Sequence, residues 1–340
     1  MRALLVRLSS IGDVVHTLPA LAALSRAGWS TGWLVEPAAR PLLEGNPLLG
    51  RLHTVPPARA FSWRTAAGVV RDVRRARYDV ALDLQGLWKS AAWARLSGAP
   101  RVVGFDAAFR REPASRLLLR ERAVQPEAAT HVIDKNLALL RPLGIEALGS
   151  REFPLPALAA ADELVAARLA ERGIGDFVIL NPGGGWTSKL WPAEGYGAVA
   201  RSLHERGLRS IVTWGPREEA LAGQVEASSG HVATRSFPTS LLEYAALARR
   251  ARAVVAADTG PLHIACALGT PVVGLYGPTD PARNGPWSPR DRVLRRTPPC
   301  APCHRRACAT HAGILAGVTP AEVTAAVLER LGREGERRAV

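Results

Sequence analysis

The chain has 340 residues, 47% of them hydrophobic and 22% charged, a make-up that excludes a disordered chain. Its length exceeds one ordinary core and predicts two domains of about 150 residues each. The net charge of +14 divides as a surplus of nine in residues 1–155 and five in the remainder, so charge alone admits phosphate-bearing partners such as nucleic acid or an anionic membrane surface. Only Lys89, Lys135 and Lys189 are lysines, so GC-rich codon usage explains the arginine bias equally well. No run of 18 apolar residues occurs, and MRALLVRL is interrupted by Gly12 and Asp13 before a span or export signal could form. The cytoplasm is the expected location.

Short apolar runs alternate with longer amphipathic stretches, the pattern of α/β domains with parallel sheets. In the first half, strands are expected at Ala3–Leu8, Gly32–Val35, Arg51–Val55, Val80–Leu84 and Val102–Phe105. Helices are expected at Val14–Ser25, Trp63–Arg77, Leu87–Leu96 and His131–Leu143. Two prolines in Phe153-Pro154-Leu155-Pro156 mark the linker, giving domains over 1–155 and 156–331 and a charged tail over 332–340 that should fray. Past the linker, helices are expected at Ala160–Arg172, Ala193–Arg206, Glu218–Ala227, Leu241–Arg249 and Pro320–Leu331. The intervening strands are Phe177–Asn181, Ser210–Trp214, Ala253–Ala257 and Val272–Tyr276. The predicted fold class is α/β, two Rossmann-like doubly wound domains facing a central cleft. Ligands in such sheets sit beyond the carboxyl ends of the strands. Three loops are therefore singled out: Ser9–Asp13, Asn181–Lys189 and Asp258–His263.

In LSSIGDVVHTLPAL, Ser9, Ser10 and Gly12 form a small-residue turn and Asp13 stands at a helix start. Asp13 caps that helix, serves as a general base, or both; position alone does not choose. His16 reads as packing or positioning. In LNPGGGWTSKLWPAEGY, three glycines let backbone approach a ligand and Lys189 offers a point charge for phosphate. Neither the dinucleotide fingerprint nor a Walker loop is present. In VVAADTGPLHIACALGTPVVGLYG, a strand ends in Asp258-Thr259-Gly260 and a helix follows, a ready anion site. In WGPREEAL, Glu218 or Glu219 is placed for ribose hydroxyls, with Glu218 preferred. PPCAPCHRRACATH contains a haem-attachment spelling, which the absence of an export signal argues against. A structural loop is the favoured reading of its cysteines. Zinc on Cys300, Cys303, Cys308 and His311 is the minority alternative.

These segments together resemble the bacterial ADP-heptose:lipopolysaccharide heptosyltransferases of glycosyltransferase family 9, from about Met1 to Leu331. The long match at SSIGDVVHTLPA implies that Asp13 is the catalytic base, with Ser9, Ser10 and Gly12 on the acceptor side. D-[ST]-G-x-x-H, here Asp258, Thr259, Gly260 and His263, implies contact with the diphosphate and donor sugar, as do Thr187, Ser188 and Lys189. DLQGLWKSA (Asp83 to Ala91) and Arg111-Glu112-Pro113 resemble the members that add the first heptose, implying acceptor contacts from Lys89 and Arg111. His131 and Lys135 align with further acceptor-side positions.

The resemblance implies an inverting, metal-independent transferase without a cofactor. It would take ADP-heptose as donor and a Kdo residue on lipid A as acceptor, in peripheral contact with the cytoplasmic face of the inner membrane. An inner-core heptose acceptor, a two-domain nucleotide-sugar epimerase and an inactive binding module are the alternatives. No framework for nucleic-acid binding accompanies the charge.

Overall fold

A computed structural model of the chain describes all residues except 58–61, 127–128, 304–305, 309–312 and 339–340; of residues 333–338 only the backbone is described. The chain divides into two compact units, Met1–Ala157 and Leu158–Val340.

The first unit holds strands β1 (Arg2–Val6), β2 (Ser30–Val35), β3 (Arg51–Thr54), β4 (Val80–Asp83), β5 (Arg101–Phe105) and β6 (Glu121–Ala123). They form one parallel sheet in the order β3-β2-β1-β4-β5-β6, with Val6 opposite Asp83 at the carboxyl edge of the central pair. Its helices are α1 (Ile11–Val15), α2 (Leu18–Arg26), α3 (Trp63–Arg75), α4 (Trp88–Leu96) and α5 (Val132–Ala138). The central strands are apolar on both faces because helices cover both, so they read as continuous hydrophobic runs. Leu4, Val6, Ala81 and Val102 pack there with Val73 of α3 and Ala94 of α4.

The second unit repeats the plan. Helix α6 (Ala159–Glu171) precedes β7 (Phe177–Asn181), followed by α7 (Ala193–His204), β8 (Arg209–Val212), α8 (Glu219–Ser228), β9 (Ala233–Arg235) and α9 (Leu241–Arg250). Then come β10 (Ala253–Ala257), α10 (Gly260–Ala267), β11 (Val272–Tyr276), α11 (Pro281–Asn284), β12 (Arg292–Arg295) and α12 (Pro320–Arg338). All six strands are parallel in the order β12-β11-β10-β7-β8-β9. Counted from its own first strand, this is the same order as in the first unit. Both sheets therefore reverse direction at one point, between β1 and β4 and between β7 and β10. That is where an open α/β sheet leaves a crevice for a ligand.

The edge strands β6, β9 and β12 lie outside the expected set, and three expected helices differ in extent. The single helix expected over Val14–Ser25 is two helices with a turn at His16 and Thr17, because Pro19 has no N–H and belongs in the first turn of α2. The helix expected over His131–Leu143 stops at Ala138 and resumes as a 3₁₀ turn at Arg141–Leu143, where Pro142 intervenes. The helix expected over Pro320–Leu331 extends to Arg338, since Glu and Arg are good helix formers.

Candidate active site

In the first unit, the switch-point loops follow β1 and β4. Asp13 lies in the first turn of α1, where one carboxylate oxygen, Oδ2, accepts from the Ser10 backbone N–H at 3.2 Å and from the Ser10 hydroxyl at 2.9 Å. The other, Oδ1, is ion-paired with Arg7, whose side chain is almost wholly buried and also donates to the Leu84 carbonyl. The Asp13 side chain keeps 30% of its surface exposed, so the carboxylate is held in orientation yet open on one side. It therefore caps its helix and faces solvent together. Gly12 is buried beneath the turn, and Ser9 and Ser10 lie on its outer side. His16 is buried, edge-on to His131 with ring centroids 5.7 Å apart.

The β4 loop is locked to the β1 loop. Gln85 Oε1 accepts from the Leu8 N–H at 2.9 Å. Asp83 Oδ1 accepts from the Gln85 and Gly86 N–H groups, each at 3.2 Å, and Gly86 takes the left-handed conformation that such a turn requires (φ +74°). Asp83 Oδ2 meets Arg110 Nη2 at 2.5 Å, with both side chains fully buried, and Arg110 Nε donates to Ser115 at 2.8 Å. Arg110 thus anchors the segment that carries Arg111, which is exposed. Lys89 is exposed and pairs with Glu36 at 2.8 Å. His131 caps α5, its Nδ1 accepting from the Ile133 N–H at 3.2 Å, and Lys135 lies over the Phe109 ring at 5.6 Å.

In the second unit, β10 ends at Asp258, a buried carboxylate with three side-chain donors. Oδ2 accepts from Lys189 Nζ at 2.6 Å; Oδ1 accepts from Asn284 Nδ2 at 2.7 Å and bonds His263 Nε2 at 3.0 Å. Burial alone would push this carboxyl up, but the His263 bond and the Lys189 charge outweigh it and hold the group well below the usual carboxylate range. Lys189 also donates to the Asp258 carbonyl at 3.1 Å and lies 4.6 Å from the centre of the Trp186 ring. Thr259 and Gly260 open α10 beside this cluster, and the Thr259 hydroxyl donates to the Ala257 carbonyl at 3.2 Å, so it does not cap the first turn of the helix.

The glycine loop after β7 lies against both neighbours. A Cβ at Gly184 would come within 2.9 Å of Thr259 Cγ2, and one at Gly183 within 2.0 Å of Glu218 Oε2. Glu218 accepts from the Gly184 N–H at 2.9 Å and the Gly215 N–H at 2.8 Å, so it ties the β7 and β8 loops together. Glu219, the next residue, lines a cavity of about 390 Å³ with Trp214, Arg217 and Thr239. Thr187 is exposed and Ser188 buried, and the Thr187 hydroxyl and Ser188 N–H both reach the Arg306 carbonyl at 3.2 Å. Trp191 is buried, donating to the Val318 carbonyl at 3.0 Å beneath the turn. The Cys303 N–H donates to the Pro278 carbonyl at 2.8 Å, docking the cysteine segment on the turn after β11. His311 lies outside the described residues.

Every candidate loop thus occupies a strand's carboxyl end in its own unit, and Asp258, Thr259, Gly260, His263 and Lys189 form one cluster. Sequence reasoning missed Arg7, Asp83, Arg110 and Asn284 as supporting residues. Arg7 carried a signal, being a charge at the end of an otherwise apolar strand; buried Arg110 gave none beside its neighbour Arg111.

The model of "Glycosyltransferase family 9 (heptosyltransferase)" matches residues 67–312. The chain belongs to glycosyltransferase family 9. It is 33% identical over 322 residues to lipopolysaccharide heptosyltransferase 1 of Pseudomonas aeruginosa, covering 91% of this chain and 87% of that one. The solved structure of E. coli heptosyltransferase WaaC with ADP superposes with a TM-score of 0.75 at 26% identity, covering 98% of this chain and 99% of that one. The same enzyme with ADP-2-deoxy-2-fluoro heptose also gives 0.75 at 26% identity, over 97% and 99%. The chain is therefore a glycosyltransferase, and its two parallel sheets are those of the GT-B class.

Proposed function

We propose that this glycosyltransferase moves heptose from ADP-heptose, with inversion, onto a Kdo residue of lipid A. The first unit binds the acceptor and carries the base; the second binds the donor. The observation that carries the reading is the pairing of two different sites at equivalent switch points: an oriented, half-open carboxylate after β1 and a lysine beside a helix N-terminus after β10. A carboxylate suits proton abstraction from a sugar hydroxyl. A lysine beside an uncapped helix N-terminus suits a diphosphate. Relatives of this family named for ADP-bound and lipopolysaccharide-directed enzymes support the donor and the acceptor class.

In this mechanism the acceptor hydroxyl gives its proton to Asp13 while its oxygen attacks the anomeric carbon on the face opposite ADP. The bond from that carbon to the diphosphate oxygen breaks, and the electron pair leaves with ADP. Lys189 and the Thr259–Gly260 amides stabilise the charge that grows there. Asp258 and His263 hold Lys189 and the start of α10 in place; the buried carboxylate acts through its neighbours. Glu218 shapes the nucleotide loops and keeps lone pairs for a ribose hydroxyl. Lys89, Arg111 and His131 meet the acidic acceptor. No metal takes part. No helix among the described residues is long and apolar enough to cross a membrane, and the enzyme works in peripheral contact with the cytoplasmic face of the inner membrane, where its acceptor is made.

Calorimetric titration with ADP-heptose, GDP-mannose and UDP-glucose, followed by ADP release with and without Kdo-lipid A, tests the reading. Selective ADP-heptose binding and acceptor-dependent ADP release are expected. Binding without selectivity would reject the donor, and release unaffected by Kdo-lipid A would reject the acceptor.

A further inference from the structure

Helices α3 and α4 leave a groove of about 1120 Å³ between them. Its floor is apolar: Trp63, Ala67 and Val70 from α3 face Ala92, Trp93 and Leu96 from α4. These positions follow helical spacing, so each helix turns one stripe to the groove. Trp63 is 82% exposed, more than any other large apolar side chain among the described residues, and Leu96, which also lines the groove, is exposed as well.

The opposite side of α3 is fixed. Val73 is buried in the core on the sheet, and Asp72, the only acid on the helix, bonds His53 of β3 at 2.6 Å. The outer stripe is therefore a surface that the fold maintains, with Trp63, Ala67 and Leu96 exposed on it.

The groove's rim is basic. Arg71, Arg74, Arg75, Arg77 and Lys89 line it. Arg74 donates to the Leu96 carbonyl and Lys89 pairs with Glu36. Among the described residues, no carboxylate lies within ion-pairing distance of Arg71, Arg75 or Arg77. An apolar floor with an exposed tryptophan and a rim of unneutralised arginines matches an interface of acyl chains below and phosphates above. A second copy of this chain fits poorly, because a two-fold contact would set each arginine rim against its twin.

We propose that the α3–α4 groove docks the protein on an anionic phospholipid bilayer, Trp63 entering the headgroup boundary and Arg71, Arg75 and Arg77 meeting lipid phosphates. The proposal rests on the reading that the acceptor is held in a membrane, and identifies the face that meets it. The surface is distinct from the residues assigned to acceptor and donor, Lys89 excepted.

The test is co-sedimentation of the full chain with vesicles of phosphatidylcholine alone or mixed with phosphatidylglycerol, both without lipopolysaccharide. The parent is expected to bind the anionic vesicles at least about tenfold more tightly, with binding that weakens as salt is raised. Arg71→Gln/Arg75→Gln should lose about tenfold or more of that affinity, and Trp63→Ala should weaken binding to the anionic vesicles. ADP titration reports that each variant is folded, and the exposed arginine pair provides the answer if Trp63→Ala does not fold. Equal binding to both vesicle types, or variants that bind ADP and vesicles like the parent, would overturn the proposal. So would parent dimerisation abolished by the arginine pair, or oligonucleotide binding that outcompetes the vesicles. Failure of the donor or acceptor assignment appears separately, in ADP-heptose titration and in turnover on a water-soluble Kdo acceptor.

Discussion

At the scale of single residues, the second unit, to which the donor is assigned, is organised around a buried carboxylate. Asp258 is buried and meets Lys189, His263 and Asn284 at once. Replacing it with Asn uncovers one partner of this ion pair. For a deeply buried pair that costs about 3–5 kcal/mol, and the partial exposure of Lys189 reduces the expected loss to about 2 kcal/mol. Because the folded carboxyl is held well below its usual range, its stabilisation is complete above the unfolded value near about 4 and disappears only as pH falls through the lower folded value. Urea midpoints of the parent and Asp258→Asn should therefore differ by a constant amount at neutral and mildly acidic pH and converge in strong acid. A gap that closed on raising the pH would contradict the assignment. Asp13 is organised differently, by an almost buried Arg7 and by Ser10, with one side open. The motif marked Asp13, Lys189, Asp258 and His263 because their residue types and loop positions are local in sequence. Arg7–Asp13 is a pair within one loop that a charge ending an apolar strand signals, whereas Asp83–Arg110 joins two loops that only the folded sheet brings together.

At the scale of elements, the loops are shaped by what glycine leaves out. Gly183 lacks the Cβ that would strike Glu218, and Glu218 in turn holds the Gly184 and Gly215 N–H groups. Glu218→Ala should cost about 1–3 kcal/mol for two unsatisfied amides and weaken ADP binding, whereas Glu219→Ala, at an exposed side chain, should leave the melting temperature nearly unchanged. Gly183→Ala should weaken ADP at least as much as Glu218→Ala by displacing the same carboxylate. Thermal melts with and without ADP separate these effects. The central strands were legible residue by residue: Phe177–Asn181, Ala253–Ala257 and Val272–Tyr276 stand as expected because unbroken apolar runs end at polar turns. Strands β6, β9 and β12 were not, since Glu121–Ala123, Ala233–Arg235 and Arg292–Arg295 are short, polar edge strands with no hydrophobic run. The helix split at His16–Thr17 was signalled by Pro19, but the surrounding leucines and alanines masked it.

At the scale of the whole molecule, two units with the same strand order place unlike chemistry at matching switch points. The alternating pattern made this duplication legible, while the supporting ion pairs needed the three-dimensional register. The division of labour has consequences for the reaction. With lysine and helix amides assigned to the diphosphate, EDTA treatment should leave the initial rate within about twofold of the untreated enzyme, against losses of several kcal/mol in transition-state stabilisation where a metal carries the charge. Restoration of a lost rate by added divalent cation would contradict a metal-free mechanism. With the base assigned to one unit and the donor site to the other, removing the base should spare donor binding. The most direct measurement is therefore single-turnover transfer by Asp13→Asn with ADP-heptose and Kdo-lipid A, beside titration of the same variant with ADP-heptose. The account predicts donor affinity close to the parent's and a rate lower by about 10²–10⁴-fold. A variant that transfers heptose at nearly the parental rate would contradict it.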